Sequence, residues 1–461
     1  MGMTRLKSNG GNRQADLSWL PAIAGGPPLR SEGNPVVFGA PRIGQAEIAA
    51  VTECLRSGWI GTGARVRRFE EQFAAYKGAP YAAAVSSGTA ALFLALTALG
   101  IGRDDEVIAP SMTFCSTVHA IVHTGATPVL VDCDRQTFNI DPAAVEQAIT
   151  PRTRAVVVVH VSGRCCDMDA ILDIARRHGL LVVEDCAHAI ESSYRGRPAG
   201  LMGAVGCFSF YSTKNITTGD GGMVVTESRR LFKRIKALSL HGMIGDAWDR
   251  WVGKRTRYEV VAAGFKCNMT DIDAALGLAQ FAEIEDRWCT RQRLWRLYDE
   301  LLKGLPIVPP RPPEPETRHA YHLYTPLLDL DLCGATRRDL LAAMKAENIG
   351  VGVHYVPVHQ LVYYRRRFRF KAADFPNASY VGERTFSLPL SACHSEADVR
   401  DVCIALRRIF DYYGRAHHEN GHTRITREPV ADWVGQPAPE GCDPARLASS
   451  SAPGWDLRDE G

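Results

Sequence analysis

Hydrophobic and polar positions divide much of the chain into short apolar runs that alternate with amphipathic stretches. The apolar runs are rich in Val, Ile and Ala, a composition typical of strands buried on both faces. The predicted strands are Glu106–Ala109, Thr127–Val131, Ala155–Val161, Leu180–Glu184, Ala204–Phe210 and Gly222–Thr226. Between them, Asp141–Ile149 and Asp169–His178 show helical periodicity. This alternation predicts an α/β fold with a mostly parallel central sheet flanked by helices.

Residues Ala274–Leu302 show helical periodicity and predict one long helix or a helix pair. The composition of the chain changes after this stretch. A Pro/Glu-rich linker, residues 311–316, then opens a region that predicts a smaller C-terminal α+β domain. The elements predicted there are the strand Tyr321–Leu328 and the helices Thr336–Glu347 and Glu396–Tyr412. The predicted divisions are a loosely packed N-terminal arm (1–34), a large domain (35–308), a small domain (309–414) and a disordered tail (415–461).

Composition narrows the class of protein. The 461 residues are 46% hydrophobic and 23% charged, with a net charge of +3, as in an ordinary globular protein. So balanced a charge gives no sign of binding to nucleic acid or to an anionic membrane. The 13 cysteines lack paired CxxC spacing, which predicts reduced thiols, a cytoplasmic location and no metal site. No run of 18 apolar residues predicts a membrane span.

Two charged residues stand where predicted strands end. Lys214 follows an apolar strand and precedes a Gly-rich turn, and Asp185 follows the strand Leu180–Glu184. Pyridoxal phosphate (PLP) enzymes need a lysine that binds the cofactor covalently and an acid beside its pyridine nitrogen. Taken singly, Lys214 would be a loop lysine and Asp185 a helix N-cap. Taken together with the motifs that follow, they favour PLP chemistry.

Small polar residues predict a phosphate site. Ser87, Gly88 and Thr89 open a strongly apolar helix, and a helix N-terminus offers free N–H groups and a positive dipole end to phosphate. Gly88 would let the backbone approach closely, and Ser209 would add a donor five residues before Lys214. Simple N-capping is the competing interpretation of the Ser-Gly-Thr run.

An aromatic residue and a histidine complete the candidate site. Phe114 follows a strand–Pro turn and could lie flat on a planar ring, or it could be an ordinary core residue. His188, three residues after Asp185, could bond the phenolic oxygen of the cofactor or orient its ring; a structural histidine is the alternative.

Nine motifs in order resemble the DegT/StrS family of PLP-dependent nucleotide-sugar aminotransferases, which have the fold type I aminotransferase fold. The resemblance covers about residues 35–413. The matching segments are 57–63, 87–89, 110–114, 167–169, 184–188, 208–214, 219–222, 268–271 and 386–390. Within the family, residues 214–217 and 268–272 resemble the branch that forms UDP-4-amino-4-deoxy-L-arabinose.

The resemblance implies roles for individual residues. Lys214 would bind the cofactor covalently and act as acid and base, Asp185 would hold the pyridine nitrogen, and His188 and Phe114 would contact the ring. Gly88, Thr89 and Ser209 would bind the phosphate. Asn268 would reach that phosphate from a partner subunit, which implies a homodimer with a shared active site. Trp59 and Thr62 would line the entrance.

The sequence gives fewer signals for the residues that would contact the sugar nucleotide. His160-Val-Ser-Gly163 departs from the family pattern, which puts the wall that recognises the sugar in doubt. In the small domain, His354, Tyr355 or an arginine of 365–369 could lie near a nucleotide pyrophosphate, and a solvated basic loop is the alternative.

We expect an aminotransferase that moves an amino group, from glutamate, to a nucleotide-linked keto sugar, with a 4-keto sugar favoured. Such a reaction serves amino-sugar, polysaccharide, lipopolysaccharide or antibiotic biosynthesis. An aminotransferase for a cyclitol or other non-nucleotide ketone is an alternative. So are a PLP-dependent sugar dehydratase, in which His replaces the lysine, and a non-catalytic regulatory protein of the same fold.

Overall fold

The computed structural model describes residues 19–245, 247–253 and 256–419, with the backbone alone for 247 and 415–419. Residues 1–18 of the predicted arm and 420–461 of the predicted tail lie outside the described residues. The last described helix continues to Glu419, five residues into the segment predicted as a tail.

The helices of the described chain are α1 (Gln45–Arg56), α2 (Ala64–Lys77), α3 (Gly88–Leu99), α4 (Cys115–His123), α5 (Pro142–Gln147), α6 (Met168–His178), α7 (Arg229–Ser239), α8 (Ala247–Trp251), α9 (Asp271–Ala282), α10 (Ile284–Leu301), α11 (Arg337–Ala346), α12 (Val362–Phe368), α13 (Pro376–Arg384) and α14 (Glu396–Glu419).

The strands are β1 (Tyr81–Val85), β2 (Glu106–Pro110), β3 (Thr127–Val131), β4 (Thr153–Val159), β5 (Leu181–Asp185), β6 (Ser193–Tyr194), β7 (Arg197–Pro198), β8 (Val205–Ser209), β9 (Gly222–Thr226), β10 (Met243–Ile244), β11 (Glu259–Val260), β12 (Ile307–Val308), β13 (Thr317–Arg318) and β14 (Leu327–Leu328).

The main sheet has seven strands, in the order β1-β9-β8-β5-β4-β2-β3. The pairs from β8 to β3 are parallel, and β9 is antiparallel to both of its neighbours. The predicted α/β class with a mostly parallel sheet is therefore confirmed. β1 was not predicted, because its Tyr-Ala-Ala-Ala-Val sequence has little β-branched character.

Two hydrophobic clusters cover the two faces of this sheet. One packs α3 and α4 against it, and the other packs α2, α6 and α9 against it. The residues of β4 alternate between the two clusters, so that Val157 lies in one and Val158 in the other. Burial on both faces explains why the strands appear in the sequence as unbroken apolar runs.

A third cluster forms the core of the C-terminal part and joins α10, α11 and α14. The predicted long helix Ala274–Leu302 is a helix pair, α9 and α10, interrupted at Glu283. The predicted strand Tyr321–Leu328 is wrong except at its end. The N–H of His322 donates to the carbonyl of Ser162, and Tyr324 forms only an isolated bridge with Leu388, so residues 321–326 form no continuous ladder.

Residues 19–34 do not pack loosely, in contrast to the prediction. The backbone N–H groups of Ala22 and Leu29 donate to the buried carboxylate of Glu347, at 2.9 and 2.7 Å. Arg30 pairs with Asp398 and Asp401 of α14. Carboxylates of Glu347 and of α14 thus hold residues 19–34 in place.

Candidate active site

A cavity of about 260 Å³ opens at the carboxyl ends of the parallel strands. Ligands of open α/β sheets bind at this edge because loops from several strands converge there. The predicted residues that line the cavity are Gly88, Thr89, Phe114, Asp185, His188, Ser209, Lys214, His354 and Tyr355.

The N-terminus of α3 forms one end of the cavity. Ser87 caps the helix, its side chain accepting the N–H of Ala90 at 3.0 Å. N-capping by Ser87 does not exclude the phosphate interpretation, because Gly88 and Thr89 still line the cavity next to Ser209. Free N–H groups, two hydroxyls and a positive dipole end suit a phosphate dianion.

Gly88 has no room for a side chain. A Cβ atom added there would lie 2.7 Å from Cβ of Ser209 and 3.1 Å from its Oγ. The close approach of α3 to the end of β8 brings together Thr89 and Ser209, the two hydroxyls predicted to bind phosphate.

We therefore expect Gly88→Ala to weaken cofactor binding by roughly tenfold or more, as for the loss of one or two hydrogen bonds to a charged group. Fluorescence titration of the apoprotein with PLP measures this. Gly102→Ala is the matched control, since a Cβ there meets nothing closer than 3.9 Å. Adding Ser209→Gly to Gly88→Ala should remove the clash without restoring affinity. Unchanged affinity in Gly88→Ala would remove α3 from the site.

The carboxylate of Asp185 lies at the end of β5 and is almost fully buried. Thr117 donates its hydroxyl to Oδ2 at 2.8 Å, and the N–H of Ala187 donates to Oδ1 at 3.1 Å. Burial raises the pKa of this carboxyl, whereas these two hydrogen bonds and the Lys214 charge lower it. A cationic group beside Asp185 would relieve that burial cost, and a protonated pyridine nitrogen is such a group.

Lys214 belongs to a tight turn after β8, where its N–H donates to the carbonyl of Tyr211. Its ammonium group has no hydrogen-bond partner within the described part of the chain. Burial lowers the pKa of Lys214 to about 8, although the charge of Asp185 opposes the shift. A lysine with this pKa supplies neutral amine at moderately alkaline pH, as a nucleophile must.

The pKa of Lys214 predicts how cofactor attachment depends on pH. Because only the neutral amine attacks an aldehyde, the attachment rate should rise about tenfold between pH 7 and pH 9, with a midpoint near 8. Borohydride trapping of added PLP, followed by mass spectrometry of the peptide that contains Lys214, measures the rate. A midpoint near the ordinary lysine value would show that burial does not activate this amine.

His188 uses both of its ring nitrogens within the protein. The N–H of Ser162 donates to Nδ1 at 3.2 Å, and Nε2 lies 2.8 Å from the hydroxyl of Tyr355. Because Nδ1 accepts, the proton of the neutral ring is on Nε2, which donates to Tyr355. Burial and then the Lys214 charge lower the pKa of His188 well below its usual range. His188 thus positions Tyr355, and direct bonding to a cofactor oxygen would break that hydrogen bond.

Phe114 and Tyr355 form an aromatic wall. Phe114 is 54% exposed, and its ring centroid lies 5.8 Å from that of Tyr355. An exposed aromatic ring at a cavity is free to stack on a planar ligand, so Phe114 is not a core residue. His354 bonds Ser387 through Nδ1 at 2.7 Å, and burial lowers the pKa of His354 to about 3. Burial also raises the pKa of Tyr355 far above its usual range, so both side chains are neutral at physiological pH.

Asn268, Thr62 and Trp59 lie together, but they do not line the cavity that holds Lys214. The amide of Asn268 donates to Thr62 Oγ1 at 2.5 Å, and the indole of Trp59 donates to the carbonyl of Thr62 at 3.2 Å. Lys266 bonds the amide oxygen of Asn268. These three predicted residues form a separate group in this chain.

Of the segment around His160, Val159 lines the cavity, whereas residues 160–166 do not. His160 is fully buried and lies 3.0 Å from a carboxylate oxygen of Glu184, while its Nδ1 accepts the N–H of Cys166. Three buried side chains, His160, Glu184 and Cys186, are close enough to hold a metal. Both oxygens of Glu184 already accept backbone N–H groups, which indicates a structural network.

Two supporting residues were missed at the sequence level. Thr117 orients Asp185, and Ser162 fixes the tautomer of His188. Thr117 lies in α4, just after the matching segment 110–114, and no local pattern singles it out. The arginines of 365–369 are exposed on α12 and the residue after it, away from the cavity.

This set of residues fits PLP. The cavity joins an anion cradle whose closest glycine tolerates no side chain, a buried carboxylate that gains from a cationic neighbour, and an unpaired lysine of lowered pKa. The anion cradle suits the phosphate of the cofactor, the carboxylate suits its ring nitrogen, and the lysine suits its aldehyde.

Comparison with known proteins decides the family. The model of the DegT/DnrJ/EryC1/StrS aminotransferase family matches residues 41–407. The chain belongs to this family. It is therefore a PLP-dependent aminotransferase with the fold type I architecture, as the resemblance of the motifs predicted.

Relatives match across most of their length. The spore coat polysaccharide biosynthesis protein SpsC of Bacillus subtilis is 48% identical over 374 residues, which cover 81% of this chain and 96% of SpsC. Spr1654 from Streptococcus pneumoniae, solved in its PMP form, has a TM-score of 0.77 at 31% identity and covers 82% of this chain and 99% of its own. DesI, solved in the presence of its TDP-sugar product, has a TM-score of 0.77 at 32% identity and covers 88% and 99%.

No helix in the described ranges is long and apolar enough to cross a membrane.

Proposed function

We propose that this family member transfers an amino group from glutamate to a nucleotide-linked keto sugar, with a 4-keto sugar favoured, in the cytoplasm. The observation that carries the proposal is one cavity that holds Lys214, Asp185 and the α3 phosphate cradle beneath an open aromatic wall. SpsC is named for polysaccharide biosynthesis, and DesI was solved with a TDP-sugar product, which supports a nucleotide-linked sugar.

Asp185 and Lys214 have separate roles in the proposed reaction. Bound PLP supplies an electron-withdrawing ring that makes the α-proton of the amino donor acidic. Asp185, held in place by Thr117, would keep the ring nitrogen charged by its own negative charge. Lys214 would take up and return the proton of the donor carbon through Nζ, since its pKa of about 8 lies near working pH.

A half-reaction with glutamate tests the activity. Glutamate added to the holoenzyme should shift the visible cofactor absorption band and release one 2-oxoglutarate per site. A band that does not respond to glutamate but responds to another amino acid would correct the donor. If no amine shifts the absorption band, the alternative of a non-catalytic regulatory protein with the same fold would be favoured. The related sugar dehydratases have His at the position of Lys214, so the lysine argues against the dehydratase interpretation.

Calorimetry with UDP, dTDP and GDP separates nucleotide sugars from cyclitols. The proposal predicts that at least one nucleotide binds to the holoenzyme, and the resemblance to the L-arabinose branch favours UDP. Absence of binding by all three would favour a non-nucleotide ketone.

We also propose a homodimer with a shared active site. The group formed by Asn268, Thr62 and Trp59 does not line the cavity of its own chain, although Asn268 forms a backbone bridge with Val85 at the end of β1. A second chain would allow Asn268 to reach the partner's phosphate cradle, which is the role that the family resemblance implies.

Hybrid dimers test the shared site. Lys214→Ala and Asn268→Ala are each expected to lower activity, and co-expression of the two should restore about a quarter of the wild-type sites, because half of the dimers are mixed and each has one intact site. If every site used its own Asn268, mixing would restore nothing. The control is co-expression of Lys214→Ala with the double variant Lys214→Ala/Gly102→Ala. Both chains then lack the lysine, so this mixture should restore no activity.

A further inference from the structure

Another cleft, of about 590 Å³, opens on the surface beside α13. Three arginines come together there from the turn after β3, the start of α11 and the end of α13. We name it the arginine cleft and define it by Arg135, Arg337, Arg384, Gln360, Tyr380 and Glu383.

The ring of Tyr380 holds two of the guanidinium groups in place. The central carbon of Arg135 lies 4.2 Å from the ring centroid, and that of Arg384 lies 4.0 Å from it. Stacking on an aromatic ring fixes the plane of a guanidinium and leaves its edge donors available. The two charges are therefore positioned before any ligand arrives.

The positive charge in the cleft is mostly unbalanced. Arg384 pairs with Glu383 at 2.7 Å, but neither Arg135 nor Arg337 pairs with a carboxylate in the described part of the chain. Arg135 donates to the amide oxygen of Asn377 at 3.1 Å, and Arg337 donates to backbone carbonyls. Three cations and one anion leave a net charge of +2 among the residues that line the cleft.

Two neutral groups add to the polar lining. The side-chain amide of Gln360 and the hydroxyl of Tyr380 have no hydrogen-bond partner among the residues described. Guanidinium forks together with amide and hydroxyl donors suit the tetrahedral oxygens of phosphate. We propose that the arginine cleft binds the phosphate or diphosphate group of a small molecule.

The cleft is distinct from the catalytic cavity. Asp132, directly after the edge strand β3, accepts the N–H groups of Asn377 and Ala378 and so anchors α13 at that edge. The strand β5, which carries Asp185, lies three strand positions away, a separation of about 14 Å at ~4.8 Å per strand. The two sites share no lining residue.

Calorimetry on the PLP-loaded enzyme tests the proposal, because the cofactor fills the α3 cradle. The probes are inorganic phosphate, pyrophosphate and UDP, which distinguish a free anion from a nucleotide diphosphate. Arg135→Gln should weaken binding of the preferred probe about tenfold, as for one lost charge-assisted contact. Glu383→Gln should strengthen it severalfold by removing the one negative charge. Arg366→Gln, an exposed arginine of α12 outside the cleft, should leave it unchanged.

The opposite signs of two variants keep the test independent of folding, since a misfolded chain would not bind more tightly. Absence of binding by all three probes would overturn the proposal. The proposal would also be overturned if both Arg135→Gln and Glu383→Gln bound the probe as tightly as the wild type does, because the probe would then lie in the catalytic cavity. The proposal does not rest on the sugar or the amino donor, so it can fail while the proposed function stands.

Discussion

Lys214→Ala should lower the rate of amino transfer by at least about 10⁴-fold, the upper range for a lost acid–base group. In the proposed reaction this one amine serves both the covalent attachment of PLP and the proton transfer, and burial lowers its pKa to about 8. Steady-state release of 2-oxoglutarate and transfer to the keto sugar measure the loss.

The fold should survive this change, because the substitution removes a buried amine that burial already disfavours in its charged form. Lys303→Ala, an exposed lysine beyond α10, is the control and should retain full activity. A small primary amine added to Lys214→Ala should restore part of the rate by replacing the missing base. Residual turnover within tenfold of the wild type would remove Lys214 from the mechanism.

Asp185→Asn should lower the rate by roughly 10²- to 10⁴-fold, the range for the loss of one preorganised electrostatic group. Asparagine keeps the size and can still accept from Thr117, but it cannot hold a charge on the ring nitrogen. The neutral ring withdraws fewer electrons, so the proton on the donor carbon becomes harder to remove. Single-turnover kinetics with glutamate isolates this step.

Three comparisons separate this effect from general damage. Glu227→Gln removes an exposed carboxylate and should not affect the rate. Thr117→Val should cause a smaller loss, since it leaves the charge of Asp185 and removes one of its donors. The pKa of Lys214 should fall further in Asp185→Asn, because the Asp185 charge raises it in the wild type. Wild-type single-turnover rates in Asp185→Asn would contradict the role.

The sequence predicted the parts of the site that depend on strand ends. Apolar runs locate β5 and β8, and Asp185 at the end of β5 and Lys214 in the turn after β8 both lie at the carboxyl edge of the parallel strands. The same logic placed Gly88 and Thr89 at the start of α3. Periodicity and chain order suffice for such residues.

Contacts between distant segments were not predictable in this way. His188 is held by Ser162 and bonds Tyr355, 167 positions along the chain, and no local pattern encodes that pairing. The departure of the His160 motif from the family pattern put the sugar wall in doubt, and no local pattern showed that His160 is buried against Glu184. Side-chain direction in a loop depends on tertiary packing, which the local sequence leaves open.

Transfer of ¹⁵N tests the central claim most directly. The holoenzyme is incubated with ¹⁵N-glutamate and a panel of nucleotide-linked 3-keto and 4-keto sugars, and mass spectrometry and NMR identify the products. The account predicts one nucleotide sugar that carries ¹⁵N, with C4 favoured over C3, and no such product from Lys214→Ala. If glutamate converts the cofactor but no nucleotide sugar gains ¹⁵N while a free cyclitol ketone does, the proposed substrate class is wrong.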